Sequence, residues 1–96
     1  SSPAYAVRKV LQKHGVRSSL HDPLFSAAEI EERGFNFAKE PYDSTIKYDL
    51  LVLVTAHDQY AELDYVKIAK AGCKVVLDGR NILDEKQILE LGMVYR

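Results

Sequence analysis

Two short and largely apolar runs, at 50–54 and 73–77, limit the folds open to this chain. A strand with one face in water alternates apolar and polar residues, whereas these runs are apolar or β-branched at nearly every position. Strands of this kind are buried on both faces, as in a parallel sheet covered by helices on both sides. Weaker strand candidates lie at 16–21, 35–38 and 93–95.

Four helices are predicted between these strands, because each has a start signal and a terminal glycine. The starts are Pro3 after Ser2, the capping box opened by Ser26, Asp64 and Asp84, and the glycines are Gly15, Gly34, Gly72 and Gly92. Strands that alternate with helices at this spacing predict right-handed βαβ units. We therefore expect an α/β fold, a three-layer Rossmann-like parallel sheet with helices on both faces.

The chain opens into a helix, whereas a fold of this class normally opens with a strand. We therefore expect a first strand upstream of Ser1, this sequence being an excerpt from a longer polypeptide. The 96 residues are expected to form one domain, because an independent core usually needs roughly 100–150 residues. The stretch 39–48 is expected to be a loop with one helical turn.

Charge and composition exclude several classes of protein. Lys and Arg number 13 against 14 Asp and Glu, so the net charge of −1 offers no basic surplus for nucleic acid. The longest apolar run has five residues, far short of the roughly 20 that span a membrane. A single cysteine, Cys73, excludes an internal disulfide framework or a CxxC metal site. The first residues lack the form of a signal peptide, and we expect a cytoplasmic protein.

Polar clusters follow three of the predicted strands, at 21–23, 55–58 and 78–81. In an open parallel sheet these positions lie at the carboxyl edge, where ligands bind. Gly79 allows a sharp turn, after which Arg80 can present a planar fork of five donors to a phosphate or carboxylate. The alternative for Arg80 is a surface salt bridge to a neighbouring acid.

Structural roles are the simpler interpretation of the other polar residues in these clusters. His57 and Asp58 are adjacent in a turn, so we expect His57 to bond the backbone and Asp58 to cap a helix rather than to form an acid–base pair. A metal site would need His21, Asp22, His57 and Asp78 to converge, and we predict no metal.

The chain contains neither a GxGxxG nor a Walker A sequence. The glycine-rich cradle of a dinucleotide or ATP site is therefore missing, and we do not expect this domain to bind NAD by itself. Cys73 is expected in the core, with no base positioned to activate it. Tyr60 and Tyr65 are expected to pack rather than to stack on a ligand.

At these residues the chain resembles the C-terminal, nucleotide-binding domain of the UDP-glucose/GDP-mannose dehydrogenase family. Asp78-Gly79-Arg80 closely matches the family's Asp-Gly-Arg motif, His21 stands in the usual aromatic place before Asp-Pro, and Ala56 replaces the usual acid. The matching segments follow the family order along nearly the whole chain, at 2–4, 15–23, 49–60, 78–81 and 92–95.

The resemblance implies that residues 1–96 are the UDP-binding domain of an NAD-dependent enzyme, which oxidises the C6 alcohol of a nucleotide sugar to a carboxylate. It implies that Arg80 contacts this substrate, and we expect Gly79, Asp78 and His57 in the same binding site. No catalytic residue is expected here, because the family's catalytic groups lie in its earlier domains. NAD would be held by an N-terminal domain, and a helical centre would make the enzyme a homo-oligomer.

Several alternatives stay open from the sequence. UDP-glucose, UDP-N-acetylhexosamines and GDP-mannose all suit the resemblance, and UDP-sugars are favoured as the commoner family case. A non-enzymatic, Rossmann-like regulatory or scaffolding module is the main rival. A receiver-like domain is less favoured, because it needs paired acids at the end of the first strand and only Asp22 stands there.

Overall fold

The structure is a computed structural model that describes residues 3–42 and 47–96. In these ranges helices alternate with parallel strands, which confirms the predicted Rossmann-like α/β class. The helices are α1 (Pro3–Lys13), α2 (Ala27–Glu32), α3 (Tyr65–Lys70) and α4 (Glu85–Glu90), and the strands are β1 (Ser19–Leu20), β2 (Asn36–Phe37), β3 (Leu50–Leu53), β4 (Val75–Asp78) and β5 (Val94–Tyr95). The predicted cap at Ser2 and residues 43–46 of the predicted turn lie outside the described residues.

The chain divides into two compact units, the first ending at Pro41 and the second beginning at Tyr42. In the first unit β1 and β2 pair in parallel, with Ser19 opposite Asn36. Helix α2 between them has the predicted capping box, in which the Glu29 amide donates to the Ser26 hydroxyl and the Ser26 amide donates to the Glu29 carboxylate. This cap fixes the start of α2, whose Ile30 is buried.

The second unit is a three-stranded parallel sheet in the order β3-β4-β5. Leu51 lies opposite Val76, and Val76 lies opposite Tyr95, so these side chains share one face. That face packs against a core in which Ile68 of α3, Val76 of β4 and Ile88 of α4 are completely buried. Burial of such side chains is the main term that stabilises the unit.

The two α-helices of the second unit, α3 and α4, begin and end where the sequence predicts. The Asp64 side chain accepts from the Lys67 amide, and the Asp84 side chain accepts from the Gln87 amide. Gly72 follows α3 with φ of 98°, a left-handed conformation that a side chain would strain. None of the helices in the described ranges has the length and apolar character needed to cross a membrane.

Candidate functional site

A loop of residues 79–84, called the arginine loop below, connects β4 to α4 and begins beside the end of β3. The Gly79 amide donates to the Leu53 carbonyl at 2.9 Å. A Cβ at position 79 would lie 2.8 Å from that same oxygen, closer than a real Cβ approaches. Glycine is thus required by the contact with β3. The turn expected at Gly79 is present, at Gly79 and Arg80, and the next residue, Asn81, adopts the left-handed φ of 56°.

The Asp78 carboxylate organises the loop from the last residue of β4. Its Oδ1 accepts from the Arg80 amide at 3.1 Å, and its Oδ2 accepts from the Leu83 amide and the Tyr95 hydroxyl, each at 2.8 Å. Desolvation alone would raise the pKa of Asp78, but these hydrogen bonds outweigh it and hold the pKa below its ordinary value. The carboxylate is therefore charged and engaged within the loop.

Two tyrosines hold the arginine loop at its two ends. The hydrogen bond to Asp78 raises the pKa of Tyr95 to about 12, and the Tyr95 hydroxyl lies 3.4 Å from Oδ1 of Asn81. At the other end the Asp84 amide donates to the hydroxyl of Tyr65 at 2.9 Å. Tyr65 is otherwise buried in the core, which confirms its predicted packing role. Both contacts restrict the shape of the loop.

Arg80 is exposed in this loop, as are Asn81, Ile82 and Asp84, and it is the loop's one cationic side chain. Its amide is bonded to Asp78, while its guanidinium has no hydrogen-bond or ion-pair partner among residues 3–42 and 47–96. The alternative of a surface salt bridge thus finds no partner in that part of the chain. A free guanidinium offers paired donors that match a phosphate or carboxylate.

The cluster at 55–58 lies at the same edge of the sheet, because β3 and β4 are parallel neighbours with Leu53 opposite Asp78. A 3₁₀ helix, Asp58–Glu62, begins there, and its N-cap is His57, whose side chain makes no capping hydrogen bond. The expectation that Asp58 caps a helix is wrong, since Asp58 is already the first helical residue. The His57 ring meets the Tyr60 ring edge-on, with centroids 5.5 Å apart, so aromatic packing orients it.

The remaining candidates have local structural roles. The cluster at 21–23 belongs to the first unit, where Oδ1 of Asp22 accepts from the Leu24 amide at 2.9 Å. Cys73 is buried as predicted, and desolvation raises the pKa of its thiol. It precedes β4 by two residues instead of starting the strand. In the described ranges no three His, Cys, Asp or Glu side chains converge to hold a metal.

Tyr95 and Leu83 were missed by the sequence analysis as parts of this site. Tyr95 is 17 residues from Asp78 along the chain, and only the pairing of β5 with β4 brings them together. One signal could have indicated it. Tyr95 carries a hydroxyl and lies in a predicted strand, and the preceding strand along the chain ends in the acidic Asp78. A buried or half-buried tyrosine hydroxyl normally has a partner.

These features define a class, a Rossmann-like α/β domain whose carboxyl-edge loop presents an arginine that is unpaired within the described part of the chain. The chain matches the sequence profile of the UDP-glucose/GDP-mannose dehydrogenase family, UDP binding domain, over residues 1–85. The chain therefore belongs to this family, as its motifs predict.

Three curated relatives, each called UDP-glucose 6-dehydrogenase, match nearly all of the chain. The Pseudomonas aeruginosa protein is 29% identical over 103 residues, the Rhizobium meliloti protein 32% over 98, and the Rickettsia conorii protein 25% over 99. Each match covers 98–99% of this chain but only 22–23% of the relative. The chain thus spans about a quarter of their length. No solved structure gives a significant match.

Proposed function

We propose that this chain binds the nucleotide part of a nucleotide sugar, with a UDP-sugar as the favoured ligand and Arg80 as the anion contact. It does so as the C-terminal domain of an NAD-dependent dehydrogenase that oxidises the C6 alcohol of a sugar such as UDP-glucose to the uronate. Membership of the family and the names of the three relatives support this function. The observation that carries it is the exposed Arg80 guanidinium, which lies on a loop held by Asp78 and has no partner among the residues that the structure describes.

The diphosphate of a nucleotide sugar suits this arginine in charge and shape. A guanidinium can donate two parallel hydrogen bonds to one phosphate, and each charge-assisted bond contributes roughly 1.5–3 kcal/mol. The nucleotide is chemically inert in the oxidation, so its binding energy serves to position the reacting sugar. Gly79 takes part by allowing the loop to lie against β3, and His57 lines the same edge of the sheet.

The residues of this chain do not fit NAD. In the described ranges the turns that follow β1 and β3, at 21–26 and 54–57, contain no glycine, and the loop after β4 has Gly79 alone beside the acidic Asp78. A dinucleotide site needs several glycines there, so that the backbone can approach the pyrophosphate. We propose that NAD is bound by an N-terminal domain of the same enzyme, and that the enzyme is a cytoplasmic homo-oligomer.

Steady-state kinetics of the full-length enzyme test the role of Arg80. We expect Arg80→Ala to raise the KM for UDP-glucose about 10- to 100-fold, which corresponds to one strong charge-assisted interaction. The KM for NAD should not change, because NAD is bound elsewhere. Arg17→Ala is the matched control, since Arg17 is also an exposed arginine and lies outside the arginine loop. An unchanged KM for UDP-glucose in Arg80→Ala would remove Arg80 from the site.

Direct binding separates this proposal from the non-enzymatic alternative. Calorimetric titrations of UDP and of NAD into the full-length protein should both show binding, and only UDP binding should weaken in Arg80→Ala. A protein that binds neither nucleotide would favour a regulatory or scaffolding module.

A further inference from the structure

We infer that Tyr95 is a positioning residue for Arg80, acting through the Asp78 carboxylate to hold the arginine loop in its anion-binding shape. This inference rests on the proposed function and adds to it a residue that does not touch the ligand. The connection runs from the Tyr95 hydroxyl to Oδ2 of Asp78, and from Oδ1 of the same carboxylate to the Arg80 amide.

The placement of Tyr95 allows its ring and its hydroxyl to serve different purposes. Tyr95 lies on β5 opposite Val76, and its ring packs against the core of the second unit. The hydroxyl extends beyond that core to Asp78 at 2.8 Å and also lies 3.4 Å from Oδ1 of Asn81. Phenylalanine would keep the packing of the ring and remove only the polar contacts. The two contributions can therefore be separated by a single substitution.

The hydroxyl completes the set of donors that fixes the Asp78 carboxylate. One of its oxygens is shared by the Tyr95 hydroxyl and the Leu83 amide, and the other receives the Arg80 amide. Without the hydroxyl, the carboxylate can rotate away from one of these amides or turn toward the guanidinium of Arg80. Either change weakens ligand binding at Arg80. The ligand would then have to order the arginine loop as it binds, and that ordering costs part of the binding free energy.

The same hydroxyl reduces the competition between a nearby acid and an anionic ligand for the arginine. Asp78 lies two residues before Arg80, and an uncommitted carboxylate there would both repel a phosphate and compete for the guanidinium. The three donors that engage Asp78 spread its charge over hydrogen bonds inside the loop. Tyr95 supplies a side-chain donor among them, and the Arg80 and Leu83 amides are backbone donors.

A double-mutant cycle in the full-length enzyme tests the inference, with UDP-glucose as the varied substrate. We expect Tyr95→Phe to raise the KM for UDP-glucose about 3- to 10-fold, less than the loss of a charge-assisted contact with the ligand itself, because the hydroxyl acts on the ligand only through Asp78 and Arg80. The turnover number should stay within about 2-fold, because the contact affects a remote handle of the substrate. In an Arg80→Ala background, Tyr95→Phe should cause no further rise, because its effect passes through Arg80.

Tyr42→Phe is the matched control, because it also removes one tyrosine hydroxyl from the second unit. The Lys67 ammonium lies over its ring, 5.5 Å from the ring centroid, and Tyr42 is not a residue of the arginine loop. We expect its KM values to equal those of the unsubstituted enzyme. Thermal melts of all variants show whether Tyr95→Phe acts on stability instead of on the loop.

Each outcome decides the inference. A Tyr95→Phe enzyme with a lower melting temperature and an unchanged KM would assign Tyr95 a purely structural role and overturn it. Equal KM increases from Tyr95→Phe with and without Arg80 would also overturn it, while leaving the proposed function intact. An Arg80→Ala enzyme with an unchanged KM refutes the proposed function first, and the inference with it.

Discussion

Replacing Gly79 with alanine tests whether the arginine loop depends on its close approach to β3. The added Cβ would lie 2.8 Å from the Leu53 carbonyl oxygen, whereas ordinary contacts begin at 3.4 Å. The two segments must then separate by about 0.6 Å, the difference between those distances. Both partners are backbone, so no flexible side chain can relieve the contact. The Gly79 amide is bonded to the same oxygen at 2.9 Å, and that bond stretches as the segments part.

Three effects set the size of the loss. An overpacked contact costs about 1–3 kcal/mol, and weakening one backbone hydrogen bond costs up to about 1 kcal/mol. Alanine restricts the unfolded chain more than glycine does, which returns about 0.4–1 kcal/mol. The steric term is larger than the entropic gain, so we expect Gly79→Ala to destabilise the loop by about 2 kcal/mol.

Hydrogen exchange in the full-length protein measures this loss locally. A change of about 2 kcal/mol corresponds to roughly 30-fold faster exchange, and we expect it for amides of the arginine loop such as those of Arg80 and Leu83. Gly92→Asn is the control, because nothing lies within 4 Å of a Cβ at Gly92 and asparagine tolerates its positive φ. It should leave exchange in the arginine loop nearly unchanged. Unaltered exchange of the loop in Gly79→Ala would refute the steric argument.

Two further predictions follow from the pKa shifts. Because the pKa of Asp78 is lowered in the folded protein, its contribution to stability is present above its unfolded pKa of about 3.8 and is lost as the pH falls through the folded pKa. Melting temperatures below about pH 4 should therefore fall less steeply in Asp78→Asn than in the unsubstituted protein, and equal slopes would contradict this. Burial raises the pKa of the Cys73 thiol. Iodoacetamide at pH 8 should therefore alkylate Cys73 at least about 10-fold more slowly in the folded protein than in the urea-unfolded protein. Equal rates would show that Cys73 is accessible.

Local signals in the sequence were sufficient to predict the four α-helices and the class of fold. A capping acid or serine and its amide partner are three residues apart, as at Ser26, Asp64 and Asp84, so the signal and the structure lie in one short window. The 3₁₀ helix Asp58–Glu62 was not predicted, since its N-cap His57 provides no capping bond. A short helix without a side-chain cap has no characteristic residue at its start by which the sequence could indicate it.

Of the candidate site, only the Asp-Gly-Arg motif could be predicted from the sequence. The Asp-Gly-Arg sequence identified the turn and the candidate anion contact, but two of the reasons for its residues lie far away along the chain. Gly79 is glycine because of the Leu53 carbonyl on β3, and Asp78 is held by a hydroxyl on β5. Such contacts depend on which strands are neighbours, and strand order is not contained in a local window.

The arrangement also accounts for an acid placed beside an arginine in a loop suited to anions. An aspartate two residues from an arginine is an available ion-pair partner, and that pairing would neutralise the site. Here the Asp78 carboxylate accepts two backbone amides and the Tyr95 hydroxyl, so its hydrogen-bonding capacity is directed toward the loop itself. The acid thus gives the loop its shape while the guanidinium stays available. The substitution Asp78→Glu would therefore keep the charge but not the shape of the loop, because the additional methylene moves both carboxylate oxygens away from these donors.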